Sequence, residues 1–332
     1  MKKYIYVLLA FMAIFTSCSN DDITIGTATN FKINPATVIA PFTWEYESGD
    51  LESFNTDYRL RIRLLIYNSD GLLEAEDIQY FSNYIVTMNS TINLPVGNYN
   101  AIVITDLVGQ TSDAVEEFWT LSNYERLADT HIDDVGYIGG KEKILGITNQ
   151  NFSVDRENSN EISIDVKPVG AIFFVQFMGI HAIEEITRYS LACAKTANQC
   201  IFNINGSYSI AEENNNGSYD WRICFVEPQD YPNYSGTYGY YYVLPVSNLN
   251  LKFQYNTETE EKQDLTPVMT INPQAGEEWA FELNMQDMTY SCVKVNGQEA
   301  TSFSTKQQSD IATTVEFQQI QTMQRIYLKN IR

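Results

Sequence analysis

Apolar and polar residues alternate with a period of two along much of this 332-residue chain, a pattern that half-buried β-strands require and helices cannot use. In residues 59–66, Leu60, Ile62, Leu64 and Ile66 fall on one side of an extended chain while Arg59, Arg61 and Arg63 fall on the other. Asn68-Ser69-Asp70-Gly71 then supplies the residues of a tight reversal, so a hairpin is predicted. Ile162, Ile164 and Val166 alternate in the same way with Ser163, Asp165 and Lys167, as do Leu249, Leu251, Phe253 and Tyr255 with Asn250, Lys252 and Gln254. Each of these patterns predicts a sheet with one face in water. Segments 99–105 and 171–177 are apolar on both sides and are expected in central strands or beneath a second layer. Many short strands separated by turn signals predict an all-β chain built of sandwiches rather than a parallel α/β sheet.

Helical spacing is present once, where Val115, Phe118, Trp119 and Leu127 recur within residues 113–128 and Asp113-x-x-Glu116 reads as a capping box. One short helical insertion on a β framework is therefore expected. A weak internal echo divides the chain. Ile92-Asn93-Leu94-Pro95-Val96-Gly97-Asn98-Tyr99 and Ile271-Asn272-Pro273-Gln274-Ala275-Gly276-Glu277-Glu278-Trp279 both place a proline at a strand end, a glycine at the reversal and an aromatic on the return strand. The echo predicts two tandem β-sandwich domains, residues 31–167 and 168–290, followed by a C-terminal extension, residues 291–332.

The N-terminus reads as an export signal. Lys2 and Lys3 precede an apolar run from Tyr4 to Phe15, too short to span a bilayer, and the run ends in Thr16-Ser17-Cys18. A cysteine directly after a small pair resembles the lipobox of bacterial lipoproteins. The resemblance implies removal of residues 1–17 and acylation of Cys18, with residues 18–30 as a lipidated linker. Each buried methylene of an acyl chain contributes about 0.8 kcal/mol, so two or three chains hold a protein on a membrane where one does not. Ser19 is compatible with transfer to the outer membrane, and Asp21-Asp22 resembles the surface-export signal of Bacteroidota lipoproteins. The expected location is the outer membrane, exposed at the cell surface.

Cleavage removes two lysines and no acids, leaving 19 basic and 42 acidic residues. A surface so negative repels nucleic acid and anionic headgroups, so neither is expected as a partner. Four cysteines remain beyond Cys18, namely Cys193, Cys200, Cys224 and Cys292, which in an exported chain permits disulfides. Cys193 and Cys200 are the natural local pair, with buried free thiols as the alternative. The spacing lacks Cys-x-x-Cys and the chain has only two histidines, His131 and His181, which argues against zinc; no cofactor is expected.

Catalytic motifs are equally scarce. There is no Gly-x-Ser-x-Gly elbow, phosphate-cradling glycine loop or His-Glu-x-x-His helix. Glu184-Glu185, Glu212-Glu213 and Glu277-Glu278 are sequence neighbours, which a strand points to opposite faces, so they give no positive sign of a glycosidase pair. His131 beside Asp133 and Asp134 has the composition of a cation site, but an exposed polar loop in an acidic protein is the preferred reading. The chain is read as non-enzymatic. Its densest aromatic cluster is Tyr231, Tyr234, Tyr238, Tyr240, Tyr241 and Tyr242, near Trp221. Pro228, Pro232, Gly236 and Gly239 place the first two tyrosines in a loop, where Tyr231 and Tyr234 are candidates for contact with a glycan or protein partner.

The strand at 60–67 with its Asp70-Gly71 turn, the corner Leu94-Pro95-Val96-Gly97-Asn98-Tyr99, and the entry Lys167-Pro168-Val169-Gly170-Ala171-Ile172 together resemble the FimB-type fimbrial anchor family of Bacteroidota. The resemblance covers roughly residues 18–290 and rests on short strand-like motifs. It implies two transthyretin-like β-sandwiches on a lipid anchor, with a fimbrial stalk subunit as partner engaged by β-strand complementation. A glycan-binding lipoprotein of a polysaccharide-uptake system is the alternative function. Segment 305–332, with Lys306, Arg325, Lys329 and Arg332 against Asp310 and Glu316, is net positive on an acidic body. Alternation at Val315-x-Phe317 and Ile326-x-Leu328 predicts a last strand, docked on its own domain or donated to a neighbour.

Overall fold

The computed structural model describes residues 26–42, 58–109, 118–135, 140–156 and 160–295, and twenty strands make up nearly all the regular structure within them. Cys18 and residues 296–332 lie outside the described residues, as do Asp113, Val115 and Glu116. The fold is all-β, with mostly antiparallel pairing and no barrel.

The N-terminal half is a sandwich. In one sheet β1 (Thr27–Asn34) lies between β4 (Met88–Leu94), antiparallel, and β9 (Asn160–Asp165), parallel. The other sheet has the order β3-β2-β5-β8, from β2 (Tyr58–Asn68), β3 (Leu73–Phe81), β5 (Gly97–Gly109) and β8 (Leu145–Val154). Leu60, Ile62, Leu64 and Ile66 are all fully buried, as their alternation requires. Complete burial of each such side chain contributes about 1.5–3 kcal/mol. Phe31 of β1 meets Phe152 of β8 edge to face at 5.4 Å, and a single helical turn, α1 (Ala36–Ile39), buries Val38 and Ile39. Gly146 is the tightest point of this core. A Cβ there would come within 2.4 Å of Thr105 Oγ1 and 2.5 Å of Val38 Cγ2, so a side chain at 146 would push layers apart.

The arginine face of β2 is not wet. It is covered by a third sheet, β13-β12-β7-β6, made from β6 (Trp119–Ser122), β7 (His131–Asp134), β12 (Lys195–Phe202) and β13 (Tyr208–Asn214). Arg61 is only 3% exposed. Its guanidinium is held by both carboxylate oxygens of Asp106, at 2.5 and 2.9 Å, and donates to the Trp119 carbonyl at 3.4 Å. A buried charge is tolerated only when paired and hydrogen-bonded in this manner. Tyr67 on the same face donates to the Tyr124 carbonyl at 2.9 Å.

The C-terminal half is a second sandwich. One sheet runs β15-β10-β19-β20, from β10 (Ala171–Met178), β15 (Gly236–Val243), β19 (Glu278–Asn284) and β20 (Thr289–Lys294). The facing sheet holds β11 (Ile186–Cys193) between β14 (Trp221–Val226) and β16 (Leu249–Thr257), with the short β17 (Gln263–Asp264) and β18 (Met269–Ile271) on β16. Phe177 of β10 joins the two layers, meeting Phe253 edge to face at 5.7 Å and Tyr189 at 6.3 Å. Both echo segments are corners where the chain crosses between the sheets of one sandwich, from β4 to β5 and from β18 to β19. Tyr99 fixes the first corner by donating to the Pro95 carbonyl at 2.8 Å.

The structure corrects one expectation. Residues 119–129 form strand β6, a turn and the 3-10 turn Leu127–Asp129, not a helix, because Trp119 to Ser122 pair with Asp134 to His131. The spacing of Phe118, Trp119 and Leu127 instead puts all three into the core from a strand and a turn. The third sheet draws strands from both sides of residue 167. Strands β12 and β13 come from beyond it, yet β12 pairs with β7 through Gln199↔Asp133, Cys200↔Ile132 and Ile201↔His131. The third sheet is thus shared by both halves, and one continuous core runs through them.

Candidate functional site

The sheet β15-β10-β19-β20 offers the most unusual surface. Its strands carry apolar residues on both faces, so neither face is built for water. Phe173 and Phe281 turn inward, with ring centroids 5.0 Å apart. Outward, cross-strand register sets Tyr240, Phe174, Ala280 and Val293 in one row across all four strands, and Tyr238, Gln176, Glu282 and Ser291 in the next. Phe174 is 4% exposed, Ala280 3% and Val293 2%. Glu278, in the row that also holds Ile172 and Tyr242, is completely buried, and burial raises the pKa of the Glu282 carboxyl, with the nearby Asp287 adding to the rise. β20 is an edge strand that pairs, among the described residues, only with β19. Tyr290, Ser291, Cys292 and Val293 are nonetheless buried in succession, whereas the edge strand β3 alternates and exposes Glu74 and Glu76. Charged side chains blunt an edge against pairing, and in β20 the one charge is Lys294 at the strand's end.

At its other margin this sheet is tied to the N-terminal half. The Tyr242 hydroxyl is buried, accepts from the Gly170 N–H and donates to the Leu145 carbonyl at 2.8 Å. Beside it a cleft of about 410 Å³ lies between the shared sheet and the second sandwich, lined by Trp119, Trp221, Tyr241, Asp134, Lys143 and Arg222 among others. Its charges are engaged in structure: the Lys143 ammonium bonds both oxygens of Asp134 at 2.5 and 2.7 Å, and the Lys143 carbonyl accepts from the Trp119 indole at 2.7 Å.

The residues singled out in the sequence are scattered. Tyr234 is 59% exposed, while Tyr231 is half-buried against the core and its carbonyl contacts His181 Nε2 at 3.0 Å. The remaining tyrosines belong to β15, with Tyr241 half-buried and Tyr242 buried. Cys193 and Cys200 are free and buried, so the local disulfide is absent from the structure. They sit on β11 and β12, strands of two different sheets. Burial pushes the thiols of Cys193, Cys200, Cys224 and Cys292 up to about 12. His131 lies on β7, where its ring contacts the Asp129 carbonyl at 3.1 Å and Asp133 at 3.2 Å. No group of three or more His, Cys, Asp or Glu arranged for a metal occurs among the described residues. No helix among them is long and apolar enough to cross a membrane. Sequence reading missed the outer row of Phe174, Ala280 and Val293; the apolar character of 171–177 on both faces was the available signal.

No protein-family model and no curated protein matches the chain. Solved structures do. A protein of Bacteroides thetaiotaomicron, provisionally described as polysaccharide-binding, aligns at 10% identity and a TM-score of 0.45, covering 84% of this chain and 98% of that one. A fimbrial assembly protein of Parabacteroides distasonis aligns at 9% identity and a TM-score of 0.41, covering 84% and 99%. The neighbours also include the fimbrial anchor protein Mfa2 of Porphyromonas gingivalis, at 10% identity and a TM-score of 0.45, covering 82% of this chain and 98% of that chain.

Proposed function

We propose that this chain is a non-enzymatic, lipid-anchored cell-surface protein that serves as an anchor or accessory subunit of a fimbria and takes up a neighbouring subunit by strand addition. The observation that carries the reading is the β20 edge. Four successive buried residues lie on a strand paired on one side only among the described residues, with no acidic residue to repel an incoming chain. Backbone pairing to such an edge supplies affinity, and alternate side-chain positions supply specificity. The Thr16-Ser17-Cys18 box supports the anchoring half, since acylation at Cys18 puts the body at a membrane surface without a spanning helix. The test is a Cys18→Ala variant expressed in the native envelope. Release of the variant, or its loss from the outer membrane, is expected; retention there at the normal level overturns the anchoring role.

A further inference from the structure

The outer row Tyr240–Phe174–Ala280–Val293 poses a problem of cover. Its members stand side by side on one face of one sheet. Phe174 touches Tyr240 at 5.2 Å and Tyr238 at 5.6 Å between ring centroids, but these are lateral contacts. Neighbours in the same layer do not bring a small side chain such as Ala280 to 3% exposure; a second layer does. Among the described residues, the partly buried hydrophobics packed on this strip are Tyr238, Tyr240 and Val295. Among the described residues, the N-terminal half meets this sheet at the Tyr242 end, through the Leu145 carbonyl, and along β15 through residues 141–143.

We propose that the cover is the chain's own C-terminal segment, residues 296–332. Continuity comes first: the Val295 N–H donates to the Glu278 carbonyl at 2.8 Å, and its side chain lies on the strip, so the chain leaves the described residues at the margin of the face to be covered. Length is ample. Strands spaced about 4.8 Å apart make a four-stranded sheet about 15 Å across, which about five extended residues traverse, and 37 residues follow Val295. Alternation at Val315-x-Phe317 and Ile326-x-Leu328 gives the segment an apolar side to lay on Phe174, Ala280 and Val293. Charge favours it over segments 43–57 and 110–117. The face carries the buried Glu278 and the partly buried Glu282 beside Asp287. Segments 43–57 and 110–117 hold acids and no base, whereas 305–332 holds Lys306, Arg325, Lys329 and Arg332 against two acids. Setting more carboxylates beside Glu282 and Asp287 is unfavourable, while a basic segment adds no such repulsion. The inference does not depend on the proposed fimbrial role.

The test places a photo-crosslinking phenylalanine analogue at Tyr238 or Tyr240 in the full chain, with peptide mapping of the product. A crosslink to residues 296–332 within one monomer is expected. A crosslink to 43–57 or to any other segment, or between two copies, overturns the proposal, as does the absence of any crosslink. A second measurement uses a chain ending at Val295. Its binding of an apolar dye is expected to rise several-fold and to fall again when a synthetic 305–332 peptide is added. Dye binding equal to that of the full chain contradicts the proposal, and should the shortened chain fail to fold, the crosslink alone decides.

Discussion

Asp220 sits on the surface, where Lys262, Ser218 and Asn215 all donate to its carboxylate and lower its pKa from 3.8 to about 2. A depressed carboxyl contributes stability that is present above its unfolded pKa and lost as pH falls through the folded one. Asp220→Asn is therefore expected to lower stability near neutral pH slightly, since exposed pairs contribute little, and to flatten by the same small amount the loss between about pH 4 and pH 2 in an acid titration of the melting temperature. An unaltered acid limb contradicts this. The cysteines give a second check. With all four thiols buried and raised to about 12, the native protein is expected to resist a thiol reagent, and denaturation without reductant should expose all four for alkylation. A deficit of two would restore the Cys193–Cys200 bridge. Sequence spacing made that pair attractive because proximity along a chain is visible there; the turn of the chain from one sheet into another at Ala194 is not.

At the scale of elements, Tyr242 is the joint between the sandwiches. Tyr242→Phe keeps the ring but leaves the Gly170 N–H without its hydroxyl partner, a cost of about 1–3 kcal/mol for a buried unpaired group, while the Leu145 carbonyl keeps the Val169 N–H at 3.0 Å. Equilibrium denaturation should show that loss together with faster hydrogen exchange in β8 and β10; unchanged exchange would mean the joint lies elsewhere. The β12–β13 turn is the second tie. The Asn205 carbonyl accepts from the side-chain amides of Asn100 at 3.1 Å and Asn149 at 3.2 Å. Gly206 beside it has φ +79 and meets both asparagines at 2.4–2.6 Å from a built Cβ, so no side chain fits. Strands were largely legible in the sequence: β2 with its turn, β5, β9, β10 and β16 all lie where alternation or two-sided apolarity put them. The assumption of a wet face failed for β2, since Arg61 looks solvated in sequence and only the distant Asp106 and Trp119 show otherwise. The helix expectation failed because a strand, a turn and a 3-10 turn reproduced its spacing.

For the whole molecule, two sandwiches and the corners within them could be read from the echo of Pro95-Gly97 and Pro273-Gly276, but the sheet they share could not. Pairing between residues 131–133 and 199–201 joins segments far apart in the chain, and no local pattern encodes it. The apolar outer face of the second sandwich was equally hidden, because a row such as Tyr240–Phe174–Ala280–Val293 exists only once four separate strands are in register. The proposed account combines an acidic body, the Thr16-Ser17-Cys18 box and a strand edge without acids, and would have the protein fixed at a surface and presenting the margin of its last described sheet to another chain. Purification of the native protein from outer membranes, with identification of what accompanies it, tests that account most directly. Co-purification of polymeric pilin, lost in a Cys18→Ala strain, is the predicted result; recovery with a polysaccharide porin, or with no partner at all, contradicts it.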